Sequence, residues 1–111
     1  MTEYMQVSTT IDSMTSAAEL AHTLTTTRLS AGVQIIGPIR SVYWWKGALH
    51  DTQEWQLLFK TLATLYPALQ SHIRAHHPYE VPEIIATPIV AGSPEYLRWI
   101  SEETRQSDAS S

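Results

Sequence analysis

Residues 51–60, "DTQEWQLLFK", alternate apolar and polar side chains more cleanly than any other stretch of the chain. Trp55, Leu57 and Phe59 fall on one side and Glu54, Gln56 and Lys60 on the other, with Leu58 the exception. A two-residue period is the signature of a strand with one buried face. Upstream, residues 32–47, "GVQIIGPIRSVYWWKG", are also extended in character but interrupted at Gly37-Pro38. Proline cannot donate within a central ladder, so this pair predicts a bend or a bulge. Gly47 suits a turn, and residues 32–61 together predict a long β-hairpin.

Before the hairpin, "YMQVSTTI" (4–11) reads as a strand, and Ser13 caps a helix whose Ala17, Leu20, Ala21 and Leu24 recur at helical spacing. Arg28 and Leu29 suggest one further turn. After the hairpin, Thr64 is the expected cap of a second helix with Pro67 in its first turn. Leu65, Leu69 and Ile73 form its buried stripe, with Tyr66 and His72 beside it, and Pro78 ends it. "EIIATPIV" (83–90) reads as a strand, which Pro88 assigns to an edge or a bulge. Ser93 and Pro94 open a short C-terminal helix. One domain over residues 1–104 follows, with a polar, disordered tail over 105–111.

The order β-α-β-β-α-β plus a terminal helix predicts an α+β, ferredoxin-like sandwich with two helices on one sheet face. The short last helix cannot cover the other face. Tyr43, Trp44, Trp45 and Trp55 lie on the hairpin, and aromatic residues are enriched at subunit interfaces. Self-association is the expected solution.

Hydrophobic residues make up 43% of the chain and charged ones 16%, against a typical ~25% charged. A formal charge of -4 argues against nucleic-acid binding. Protonating all five histidines would reverse its sign. The chain has no cysteine, which excludes disulfides and thiolate chemistry. No apolar run approaches the ~20 residues of a membrane helix. "MTEYMQVSTTIDS" does not resemble a signal peptide, so a cytoplasmic location is expected. No phosphate-binding glycine loop, G-x-S-x-G or H-E-x-x-H is present, and the expected role is not enzymatic.

Two groups of residues could carry chemistry. His76 and His77 are adjacent at a helix end and point ~100° apart, so a shared metal would need Glu80, Glu83 or another subunit. The alternative role for one of them is to satisfy terminal helix carbonyls. Arg28, Lys60 and Tyr79 would suit a small anion or carboxylate if they met in an inter-subunit cleft.

Five ordered blocks, "RLSAGVQI" (28–35), "SVYWWKG" (41–47), "LLFKT" (57–61), "HHPYEVPEIIATPI" (76–89) and "GSPEYLRWI" (92–100), resemble the CutA divalent-cation tolerance proteins. The resemblance runs from about Thr9 to about Thr104. It implies a ferredoxin-like subunit, a very stable cytoplasmic homotrimer built by its long hairpins, and a link to tolerance of divalent cations such as copper. CutA proteins are similar in fold and trimer architecture to PII-type signalling proteins, which bind effectors between subunits. That likeness implies an effector cleft for Arg28, Lys60 and Tyr79.

Two departures bear on copper. Gly32 stands where the family usually has cysteine, and the strand-one cysteine of some bacterial members falls near Thr9. A soft, sulfur-rich Cu(I) site therefore has only imidazole and the thioethers of Met1, Met5 and Met14 to draw on. No cofactor is required on this reading. Weak contact with Cu(II) or another divalent cation through His76, His77 and Glu80 is the expectation. A PII-like effector module and a purely structural or anchoring trimer are the alternatives.

Overall fold

Strand β3 (Ala48–Leu62) lies inside a four-stranded antiparallel sheet, between β2 (Gly32–Trp45) and β1 (Tyr4–Ile11). The structure, a computed structural model, describes residues 3–106. The short β4 (Ile85–Pro88) pairs with the free side of β1, giving the order β2-β3-β1-β4. The hairpin closes after the Trp45↔Ala48 pair, with Lys46 at φ 50° and Gly47 at φ 80°. Two consecutive positive φ values match the right-handed twist of the arms, and glycine meets that demand at least cost.

The interruption at Gly37-Pro38 is a bulge. Ile36 faces Gln56 while Ile39 faces Glu54, so two β2 residues stand against Trp55 alone. A Cβ on Gly37 would lie 2.5 Å from Cδ1 of Trp55, so only glycine lets the indole settle there. Trp55 is consequently half-buried beside the core instead of forming part of an exposed aromatic arm.

Cross-strand partners share a face, which defines the core. Val7 lies opposite Phe59 and Thr9 opposite Leu57, while Val33 and Ile35 face the same two β3 residues from the other side. Onto this face pack α1 (Met14–Thr26) through Ala17, Leu20, Ala21 and Leu24, and α2 (Tyr66–His76) through Leu69 and Ile73. Each fully buried leucine, isoleucine or phenylalanine contributes roughly 1.5–3 kcal/mol of transfer free energy.

Ser13 caps α1 as expected, its Oγ accepting from Ser16 N–H at 3.0 Å. The further turn at Arg28 does not form. Arg28 takes the left-handed conformation (φ 63°), and its N–H donates to the Thr25 carbonyl. The Thr27 hydroxyl donates to Leu24 O and accepts from Leu29 N–H, occupying groups that another turn would need. Thr64 does not cap α2 either. It lies in a short 3-10 turn, Ala63–Leu65, that leads into the helix at Tyr66. Pro88 sits on an edge strand, as expected, but β4 is shorter than residues 83–90.

A third helix, α3 (Pro94–Glu103), covers part of the opposite sheet face. Tyr4 and Ser101 share a hydroxyl hydrogen bond of 2.8 Å, and Trp99 lies over Gly32. Arg28 pairs with Glu103 at 3.2 Å, and the Gln106 side-chain amide donates to the Arg28 carbonyl. Residues 107–111 of the expected tail lie outside the described residues. Beyond α3 the hairpin arm remains bare, with Val42 59%, Trp44 73% and Leu49 60% exposed.

Thr9 is fully buried, and its hydroxyl has no hydrogen-bond partner among the described residues. An unpaired buried hydroxyl costs about 1–3 kcal/mol. Thr9→Val is therefore expected to raise the denaturation midpoint, by about 1 kcal/mol of stability. A lower midpoint would show that the hydroxyl is paired in solution.

Candidate functional site

The segment after α2 folds back onto the hairpin and the end of β1. His77, just past the last helical residue, is buried, and its Nε2 lies 2.8 Å from the Thr10 carbonyl. Its Nδ1 accepts from the Tyr79 N–H at 3.1 Å. A carbonyl only accepts and an amide N–H only donates, so the ring is neutral with its proton on Nε2. Burial pushes the imidazole below its ordinary pKa, against the raising influence of the Thr10 carbonyl, Asp12 and Glu54.

Tyr79 packs edge-on against His77, with ring centroids 4.7 Å apart, and its hydroxyl donates to Glu54 Oε2 at 2.5 Å. Burial first, then the hydrogen bond to Glu54, hold the hydroxyl far above the usual phenol range, so it remains a donor. Glu54 is 5% exposed, although its place in the alternation assigned it to the polar side. The returning segment turns that side into a buried pocket around the carboxylate. One further link, Lys46 Nζ to Glu80 at 3.2 Å, ties the hairpin turn to the same segment. Between α2 and this segment lies a cavity of ≈ 250 Å³, lined by Tyr66, Gln70, Arg74, Glu80, Val81 and Pro82, among others.

The expected site residues are distributed differently. His76 is exposed and its Nδ1 bonds the His72 carbonyl, whereas both nitrogens of His77 are engaged and Glu80 is paired with Lys46. The set His76, His77 and Glu80 is not assembled into a common ligand shell, since no group of three or more metal-type ligands occurs among the described residues. The divergence of adjacent helix-end side chains is the reason. Within one chain Arg28, Lys60 and Tyr79 do not meet. Arg28 binds Glu103, Lys60 donates to Gln34 at 3.2 Å, and Tyr79 binds Glu54. Glu54 and Lys60 are separated along β3 by roughly 20 Å at ~3.3 Å per residue. Any cleft shared by Lys60 and Tyr79 has to be completed by another subunit.

Glu54 and Asp12 are the site residues that the sequence did not announce. The signal for Glu54 is the bulge next to it, across from Trp55, where packing around a strand is rearranged.

This combination defines an α+β protein with a long bulged hairpin, on which a histidine–tyrosine–glutamate cluster fixes the segment leading to the edge strand. The sequence profile of the family described as CutA1 divalent ion tolerance protein matches residues 5–103, and the chain belongs to that family. The divalent-cation tolerance protein CutA of Thermus thermophilus is 42% identical over 95 residues, covering 86% of this chain and 92% of its own. The rice (Oryza sativa subsp. japonica) chloroplastic Protein CutA 1 is 40% identical over 98 residues, 88% of this chain. The chain spans only 55% of that plant relative's length. A crystal structure of CutA1 from Oryza sativa superposes with a TM-score of 0.90 at 38% identity, covering 96% of this chain and 97% of that one.

The neutral His77 gives stability a pH dependence of known sign. Its folded pKa lies below the unfolded value of ~6.5. The unfolded chain therefore binds more protons just below that pH. The contribution is complete above ~6.5 and is lost as pH falls below it, at no more than about 1.4 kcal/mol per pH unit for this group. Denaturant unfolding at fixed protein concentration should show this decline, and His77→Gln should remove its share. An identical slope in that variant would assign the titration elsewhere.

Proposed function

We propose that this protein is a ferredoxin-like, homotrimeric member of the CutA family that acts without catalysis in the response to divalent cations, copper foremost, in the cytoplasm. The observation that carries the assembly is the bare hairpin arm. Val42, Trp44 and Leu49 are apolar and largely exposed on a chain that buries its other face under two helices. Such a surface is covered by a partner in stable assemblies. The strand order β2-β3-β1-β4 supports the ferredoxin-like reading of the subunit. The relatives' printed names support the cation role, with weak cation contact proposed at the α2 end around His76 to Glu80. Light scattering is expected to give three times the chain mass, and Trp44→Lys combined with Val42→Lys to lower it. A monomeric wild type at micromolar concentration would overturn the assembly.

A second reading is favoured by Lys60. Partial burial lowers the pKa of its ammonium group, and its hydrogen-bond partner is the neutral Gln34 amide. A half-buried cation with no ion pair to a carboxylate among the described residues suits an incoming anion. This reading assigns Lys60 and Arg28 of one subunit and Tyr79 of the next to a PII-like effector cleft for a small carboxylate. Calorimetry in metal-free buffer should detect such a ligand, with about tenfold weaker binding in Lys60→Gln, the worth of one charge-assisted hydrogen bond. Equal binding in the variant would remove Lys60 from the cleft.

A further inference from the structure

The stretch "SHIRAHH" (71–77) places His72 and His76 four residues apart on α2. Side chains at that spacing are neighbours on one helix face. Both histidines are exposed, and their rings lie nearly parallel, 17° apart with centroids separated by 6.0 Å. His76 Nδ1 is 2.8 Å from the His72 carbonyl. Since a carbonyl can only accept, Nδ1 carries a proton, which leaves Nε2, directed away from the helix backbone, as the nitrogen that a metal ion would engage.

Metal-binding histidines characteristically donate their second ring nitrogen to a carbonyl, which fixes tautomer and orientation. His76 thus already has the outer hydrogen bond of a metal ligand. His72 has no hydrogen bond to either ring nitrogen among the described residues, and the χ2 torsion of histidine is broad. It can turn a free nitrogen towards the same point. Arg74, two residues from each, lies about 200° around the helix from both and places no charge beside them.

We propose that His72 and His76 form a two-imidazole site on the exposed face of α2 for a borderline divalent transition-metal ion, with water completing its coordination. Imidazole nitrogens suit Cu(II), Ni(II) and Zn(II), and affinity at a given nitrogen site rises to a maximum at Cu(II). The site involves neither the buried His77 nor Glu80. It gives the cation reading a specific location and rests on that reading only for its biological relevance.

The test is calorimetric titration of Cu(II) into the purified full-length protein, beside His72→Ala, His76→Ala and the control His50→Ala, which alters a histidine on the hairpin. Both positions are exposed and alanine favours helix, so circular dichroism should show the α2 variants folded. The expected result is one Cu(II) per chain, weakened about tenfold or more in each α2 variant, the scale that even an outer hydrogen-bond partner commands. The His50 variant should bind like the wild type. Electron paramagnetic resonance of the Cu(II) protein should show nitrogen coupling that is reduced in either α2 variant. Undiminished binding in His72→Ala or His76→Ala would overturn the site while leaving the cation reading intact. The absence of any Cu(II) binding by the wild type would overturn both.

Discussion

The register of β3 is the constraint on which the rest of the structure depends. This strand pairs on both sides, and its alternate residues serve two different surfaces. Leu57 and Phe59 enter the core between the sheet and the two helices, while Glu54 and Lys60 face the other way. A slip of one residue would exchange these sets and place a carboxylate and an ammonium in the core. Two devices hold the register. The Lys46-Gly47 turn fixes the closed end, and the Gly37-Pro38 bulge absorbs one extra β2 residue where the Trp55 ring requires space.

The cluster around His77 depends on that register. Glu54 can accept from Tyr79 only because β3 presents it on the side across which the 77–84 segment returns. His77 binds the carbonyl of Thr10 near the end of β1, so one short segment spans the products of two strand pairings. A buried carboxylate is tolerated when it is hydrogen-bonded, and Tyr79 supplies that bond. The same geometry explains why His77 and His76 have different fates. One is drawn inward by two hydrogen bonds, while the other remains on the helix surface beside His72.

The strands and helices were legible where local pattern and tertiary packing agree. The alternation at 51–60, the interruption at Gly37-Pro38, the Ser13 cap and the edge position of Pro88 all appear in the structure. Disagreement arose where a side chain made a bond that the pattern does not encode. Thr27 and the left-handed Arg28 end α1 early, and the chain enters α2 through a 3-10 turn instead of a threonine cap. His72, which helical spacing sets beside the buried stripe, is exposed on the outer side of α2. The candidate site was less legible than the fold. Its Glu54 sits at a polar position of an alternating strand, and its burial depends on a segment more than twenty residues away. Pairwise proximity of that kind is not written in local spacing.

The position of β1 between β3 and β4 also governs the order in which the chain can fold during synthesis. Strand β1 has to wait for both of its neighbours, β3 and β4, which follow it in the chain. The hydrogen bond from Gln106 to the Arg28 carbonyl and the one shared by the Ser101 and Tyr4 hydroxyls come later still. Contacts so distant in sequence are slow to form and confer little until most of the chain is available. A growing chain can organise its hairpin early, because the two arms are adjacent and need only their turn. Strand β1 and helix α3 become secure only once residues through α3 have emerged.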